Sequence, residues 1–346
     1  GDSDIYYKKS TDRGRSWSSP QRLTDAPEES MVPVVTAVDG RVHVAWKDRR
    51  DQKDGEVYYK GSRDGGDTWS VDKRLTHDEV KSGAATMVVA NEQVHLAWEN
   101  ANYHNRRAAI EYSRSLDRGE GWEDVRSLEE PINGCPSLAV GEGDVIDAVY
   151  CSSAHSEATR GYNFEVYFKQ SRDGGQTWPL NERLTFDEVG DSRFPIIAAA
   201  GRDLHVVWWD DRQDTTHEHM GYPPREPEHN FEIYYKRSLD HGATWEEDAR
   251  LTHDDGVSSD PTLDARGTGV YVVWVDDRSG KENIYFKNSR DRGATWGPDT
   301  ALTTHQGRTY ARRPSVAVDD QGTVYVMWTS NSPGAPQVFL SRGVPR

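Results

Sequence analysis

An eight-residue signature, Ser-x-Asp-x-Gly-x-x-Trp, occurs six times in the chain and restricts it to a fold of repeated units. The copies begin at Ser10, Ser62, Ser115, Ser171, Ser238 and Ser289 and end at Trp17, Trp69, Trp122, Trp178, Trp245 and Trp296. Successive serines are 52, 53, 56, 67 and 51 residues apart. A near-constant period of this size marks a repeated supersecondary unit.

The units also agree outside the signature. An aromatic run precedes it, as in Val57-Tyr58-Tyr59 and Ile233-Tyr234-Tyr235, and an Arg-Leu-Thr segment follows its Trp at Arg22, Arg74, Arg183 and Arg250. Next come a loop, an apolar stretch, a Gly-containing turn and a run ending in Trp46, Trp98, Tyr150, Trp208, Trp274 or Trp328. Alternation such as Val42-His43-Val44-Ala45-Trp46 has the period of a strand, and no segment has the pattern of an amphipathic helix. Each unit therefore holds four short strands, A to D. Six such units predict an all-β, six-bladed β-propeller of four-stranded antiparallel blades, a single domain over residues 1–346. Counting strands gives twenty-five, one more than six blades need. The expected closure pairs the terminal A and B strands with the N-terminal C and D strands, which leaves the strand at Val338 without a place. Within the signature, Asp caps the C–D turn, Gly supplies a positive φ and Trp wedges between blades.

These signatures resemble the Asp-box repeats of the sialidase-like (neuraminidase) superfamily, along nearly the whole chain. Asp-boxes also occur in other glycosidases and in non-enzymes, so the likeness speaks for fold before activity. It implies an exo-glycosidase that removes a terminal acidic sugar by a retaining mechanism with a Tyr nucleophile. In that family an Arg-Ile-Pro or Arg-Leu-Pro motif at the start of a strand A supplies one of three arginines that hold the sugar carboxylate. Arg193-Phe194-Pro195 resembles it, and Arg312-Arg313-Pro314 repeats the arrangement. The resemblance places the acid in the loop before a tyrosine-rich strand, here the long insertion 213–230, where Asp214 and Glu218 are the candidates.

Aligned on the proline, the position two residues earlier reads Met31, Gly83, Gly134, Arg193, Ser259 and Arg312 around the ring. Either arginine needs an anionic partner: a ligand carboxylate, or an internal one such as Asp191. A third ligand arginine is sought among Arg106, Arg107, Arg160 and Arg313. Tyr310, beside Arg312, is the candidate nucleophile, activated by the neighbouring cation, and Glu99, after Trp98, is the candidate base. A further motif, Trp-x-Asp-x-Arg, occurs at Trp46, Trp208 and Trp274. Its Asp and Arg are expected to pair across blades, or to form a sugar-binding shelf; Arg212 and the adjacent Trp209 are the substrate-binding candidates from it.

The chain carries 42 basic and 58 acidic residues, a net charge of −16, which argues against nucleic acid and anionic membranes as partners. The expected partner is a carbohydrate, an anionic one. No transmembrane run is present, and no signal peptide remains at Gly1; a start in mid-blade suggests a processed chain, secreted or at the cell surface. Cys135 and Cys151 either form a disulfide or stay as free thiols. No CxxC or His-x-x-x-His pattern suggests a metal, and no cofactor is expected. His217 and His219 with an acidic residue would be the alternative metal ligands. Two competing functions remain: a non-catalytic propeller that binds glycans or proteins, and a polysaccharide lyase that uses His and Tyr.

Overall fold

The computed structural model describes residues 3–77, 81–102, 107–129, 134–152, 164–186, 190–213, 230–305, 309–332 and 334–344. Every sheet is antiparallel. A two-stranded sheet pairs β1 (Tyr6–Tyr7) with β2 (Gln21–Arg22). Blade 1 holds β3 (Ser30–Val38), β4 (Arg41–Asp48), β5 (Glu56–Ser62) and β6 (Lys73–Arg74). Blade 2 holds β7 (Lys81–Ala90), β8 (Gln93–Asn102), β9 (Arg107–Ser115) and β10 (Arg126–Glu129). Blade 3 holds β11 (Gly134–Val140), β12 (Ile146–Ser152), β13 (Glu165–Ser171) and β14 (Leu180–Arg183). Blade 4 holds β15 (Ser192–Ala200), β16 (Asp203–Asp210), β17 (Glu232–Ser238) and β18 (Ala249–Arg250). Blade 5 holds β19 (Ser258–Arg266), β20 (Gly269–Asp276), β21 (Asn283–Ser289) and β22 (Thr300–Ala301). Blade 6 has three strands, β23 (Ala311–Val318), β24 (Val324–Ser330) and β25 (Gln337–Gly343). This is the expected six-bladed propeller of mostly four-stranded blades.

The expected closure is not seen. The strand at Val338 is β25, and it pairs with β24 along its whole length, from Ser330 with Gln337 to Val324 with Gly343. A strand has two edges; β23 takes one edge of β24 and β25 the other, so none is left for an N-terminal strand.

Contacts group the chain into two compact units, Gly1–Val140 with Ser171–Pro179, and Gly141–Gln170 with Leu180–Arg346. In each, an N–H at the start of a strand A is donated to a backbone carbonyl ahead of strand C of the preceding repeat. The bonds are Ser30 to Ser3 and Ser82 to Gly55 in the first unit, and Ser192 to Phe164, Ser258 to Phe231 and Ala311 to Glu282 in the second. Apolar faces fill the space between blades. Between blades 4 and 5 the fully buried Val207, Ile233, Val272 and Trp274 share one cluster.

The signature does what its residues predict. Ser62 Oγ donates to Asp64 and accepts the Gly66 N–H, while Asp64 accepts the N–H groups of Asp67 and Thr68. The Trp packs edge-on against the strand-C aromatic of the preceding blade: Trp122 on Tyr59 at 5.0 Å, Trp245 on Phe168 at 5.1 Å and Trp296 on Tyr235 at 4.9 Å. At Gly119 and Gly293, φ is 91° and 82°, and a Cβ at either would overlap a tyrosine hydroxyl, Tyr59 or Tyr235. Positive φ and close approach together explain why Gly stands there.

The Arg-Leu-Thr segments have a role the sequence did not disclose. Strand D is often only two residues long, so it has few backbone bonds. Arg250 and Thr252 both bond the buried Glu232, and Thr252 Oγ1 also accepts the Ile233 N–H. Arg74 and Thr76 hold Glu56, and Arg183 and Thr185 hold Glu165, in the same way.

Three histidines on strand B are buried against strand-C tyrosines: His43 with Tyr59 (2.6 Å), His95 with Tyr112 (2.6 Å) and His205 with Tyr235 (2.7 Å). Burial pushes all three down to about 4. A folded pKa below the ordinary 6.5 makes unfolding take up protons as pH falls. The associated stability is fully present above pH 6.5 and is lost as pH drops towards 4. Carboxyls raised by burial, such as Glu165 at about 7, act in the opposite sense, so a difference measurement is needed. Between pH 7 and 4 the parent protein should lose up to about 3 kcal/mol more stability than His205→Asn. Denaturant midpoints at the two pH values check this; parallel losses would mean His205 is already charged in the fold.

Candidate functional site

Five of the six strands A begin with the same backbone irregularity; β7, which has no proline at that position, is the exception. The residue before the proline lies at positive φ: Val32 at 51°, Cys135 at 58°, Phe194 at 51°, Asp260 at 48° and Arg313 at 53°. A side chain before proline disfavours helical φ/ψ, and left-handed geometry costs a non-glycine residue about 1–2 kcal/mol. The ladder shifts register there, for example between Arg193 and Ile196 and between Ser259 and Thr262. This is a bulge, and bulges re-aim side chains. Here they turn the pre-proline residues outward: Val32, Phe194, Asp260 and Arg313 are all exposed.

In the second unit this device assembles a charged cluster. Asp260 and Arg313 occupy equivalent positions on β19 and β23, whose strands are neighbours. Asp260 reaches solvent, yet surrounding protein desolvates it enough to push its carboxyl up. Glu282 adds to the rise, and Arg312 and Arg313 oppose it. Arg312 is held by Glu282 in a two-point ion pair (Nη2 to Oε1, 2.7 Å) and lies over the Tyr310 ring at 4.9 Å. The Tyr310 N–H is anchored on Asn331 at 2.8 Å. Arg313 makes no ion pair with the described residues. One acid whose carboxyl is raised, one guanidinium unpaired among the described residues and a tyrosine beneath a cation thus share one locality.

Each expected site residue has a definite position, except two. Arg193 bonds Asp191 through Nε (3.1 Å) and Nη2 (2.6 Å) and stacks over Phe164 at 3.7 Å. Of the two partners foreseen for Arg193 and Arg312, the internal carboxylate is the one present in both cases. Glu99 belongs to the first unit, where a Cβ on Gly83 or Gly134 would crowd its side chain. The carboxylate brought to Arg312 and Tyr310 is Glu282, which the sequence did not single out. Asp214 and Glu218, with His217 and His219, lie outside the described residues. Among the described residues no group of three or more His, Cys, Asp or Glu could hold a metal. Cys135 is half-buried and Cys151 is buried.

Arg212 is committed elsewhere. Its guanidinium bonds Asp210 through Nε (2.8 Å) and Nη2 (2.6 Å) and Asp248 through Nη1 (2.8 Å), and lies 4.4 Å from the Tyr234 ring centre. Asp210 also accepts from Ser192 and from the Trp208 indole. Arg50 and Arg278 repeat the arrangement with Asp48 and Asp72, and with Asp276 and Asp299. Lys60, Lys236 and Lys287 complete the three networks. The pairing expected across blades is in fact made within each blade, and it leaves Arg212 no free edge for a substrate. Trp209, by contrast, stays half-buried, stacked on Phe194 at 5.1 Å and 23° and edge-on to Phe231 at 4.2 Å.

No protein-family model matches the sequence, and no curated protein is significantly similar. Solved structures do match. A protein of unknown function from Dyadobacter fermentans gives a TM-score of 0.63 at 14% identity, over 90% of this chain and 94% of that one. A Hadza microbial sialidase gives 0.59 at 13%, over 90% of this chain and 65% of that one. The fold is that of the sialidase-type propellers. An ulvan lyase, a polysaccharide lyase, gives 0.59 at 10%, over 89% of this chain and 81% of that one. The sialidase-type architecture thus carries both hydrolytic and eliminating enzymes, and at these identities the likeness is one of fold. No helix among the described residues is long and apolar enough to cross a membrane.

Proposed function

We propose that this sialidase-type propeller is a glycoside hydrolase acting on a sugar that bears an acidic group, with its centre at Asp260, Glu282, Tyr310, Arg312 and Arg313. The observation that carries the reading is the arrangement at Asp260: a solvent-reaching carboxyl with Glu282, Arg312 and Arg313 around it, raised by partial desolvation and by Glu282. That is the environment a general acid needs near neutral pH. Asp260 donates its proton to the glycosidic oxygen. Tyr310 attacks the anomeric carbon, and its phenol proton passes to Glu282. Water, deprotonated by Asp260, then displaces the tyrosyl oxygen, which takes its proton back from Glu282, and the enzyme is restored. A neutral nucleophile suits an anionic substrate, which would repel a carboxylate, and tyrosine is a known exception to the two-carboxylate scheme. Arg313, unpaired among the described residues, receives the substrate's anionic group.

Fluorogenic glycosides of sialic acid, of a uronic acid and of a neutral hexose test this. An acidic glycoside should be cleaved in preference to the neutral one. Arg313→Ala should raise KM for it about 10- to 100-fold, the worth of one charge-assisted hydrogen bond, with little effect on the neutral glycoside. Equal turnover of acidic and neutral glycosides by the parent would count against the reading. An unsaturated product absorbing in the near ultraviolet would instead favour a lyase. A non-catalytic, glycan-binding role has one observation on its side, namely that Arg193 and Arg312 are both neutralised internally; absence of cleavage on every substrate would select it.

A further inference from the structure

We infer that Phe194 and Trp209 form a platform on which a pyranose ring of the bound glycan stacks, next to the charged cluster. The inference deepens the proposed function and rests on that reading for its ligand class, though not for its geometry. Phe194 is 45% exposed, an unusual state for a phenylalanine held at positive φ. Its ring is not loose: it lies nearly parallel to the Trp209 indole, which is itself fixed by the edge of Phe231 and by packing against the core between blades 4 and 5. A rigid aromatic pair offers a sugar's C–H face a flat apolar surface at little cost in side-chain entropy.

The surroundings favour a sugar over a purely apolar occupant. Arg193 and Asp191 flank the phenylalanine in sequence and space, giving a polar rim of the kind that hydroxyl groups require. Most decisively, Phe194 occupies the same bulge position on β15 that Asp260 occupies on β19 and Arg313 on β23. Successive strands A are neighbours in the second unit. Three adjacent blades therefore present, from one repeated backbone device, an aromatic ring, an acid and a cation. An acidic glycan supplies a match for each: a sugar face, a glycosidic oxygen and an anion.

The experiment uses Asp260→Asn, which retains the site without turnover, titrated with 3′-sialyllactose and with a glucuronic-acid-containing tetrasaccharide. Tryptophan fluorescence and calorimetry report binding. At least one probe should bind. Adding Phe194→Ala should weaken it about tenfold or more, Phe194→Tyr should restore it, and Phe186→Ala, at another exposed phenylalanine (69%), should leave it unchanged. Tyrosine rescue separates lost stacking from a folding defect. Failure of both probes to bind, or equal affinity with and without the Phe194 ring, overturns the platform. The hydrolase reading is judged separately, by turnover in the parent protein. Phe194-dependent binding without turnover keeps the platform and discards the hydrolase; turnover whose KM ignores Phe194 does the reverse.

Discussion

Asp210→Ala should destabilise the protein by about 3–5 kcal/mol, the cost of stripping one partner from a buried ion pair. Asp210 is fully buried, and four groups depend on it: the Arg212 guanidinium, the Arg212 backbone N–H, the Trp208 indole N–H and the Ser192 hydroxyl. Alanine leaves Asp248 as the acid for Arg212 and gives the indole and hydroxyl nothing in return. Blade 2 shows what the fold tolerates without the carboxylate. Its strand B runs Trp98-Glu99-Asn100-Ala101-Asn102, with no Asp and no Arg, and the Trp98 Nε1 has no partner among the described residues. One orphaned indole is therefore survivable; an orphaned indole beside a largely buried cation is a far larger cost. Thermal unfolding should show a midpoint lower by roughly 10 °C, and Asp210→Asn, which keeps some of the bonds, should fall between. A shift within a degree or two would show that the network contributes little.

Asp260→Asn should reduce kcat on an acidic glycoside about 10²- to 10⁴-fold, the usual worth of a positioned general acid. Asparagine keeps the shape and cannot deliver a proton. KM should change less than kcat, since Arg313 still meets the anion. The pH profile gives the sharper signature. A carboxyl raised by partial desolvation and by Glu282 must be protonated to act, so the parent's activity should fall as pH rises through a pKa above the ordinary carboxyl range. Glu282→Gln relieves one cause of the rise and should move that limb to lower pH. A leaving group that needs no protonation should depend on Asp260 much less.

The blade architecture was legible because each residue of the signature acts on its own turn. Ser, Asp and Gly bond one another within eight residues, and Trp needs only the blade before it. The closure was not legible: nothing in Val338-Phe339-Leu340 says whether it will pair with β24 or remain spare, since both outcomes use the same alternating pattern. For Trp-x-Asp-x-Arg the structural role was readable, but its geometry was not. A signal existed that would have corrected it. Asp72, Asp248 and Asp299 each stand three residues after a signature Trp, in the same three blades that carry the Arg.

Asp260 and Glu282 escaped for a different reason. The alignment at the proline drew the eye to the residue two before it, whereas the bulge presents the residue immediately before it. Sequence gives no hint of this, because proline's predecessor ordinarily avoids the left-handed region. Glu282 aligns with Gly55, Phe164 and Phe231, a position of no common chemistry, and gains meaning only when Arg312 folds against it.

The central claim is that Asp260 works as a protonated acid at this cluster. Its most direct test is kcat/KM for a fluorogenic acidic glycoside, measured from pH 4 to 8 in the parent protein and in Asp260→Asn. The account predicts a basic-limb pKa above the usual carboxyl range in the parent, and loss of both that limb and at least 99% of the rate in the variant (~10²-fold). A variant as active as the parent, with the same profile, would contradict it.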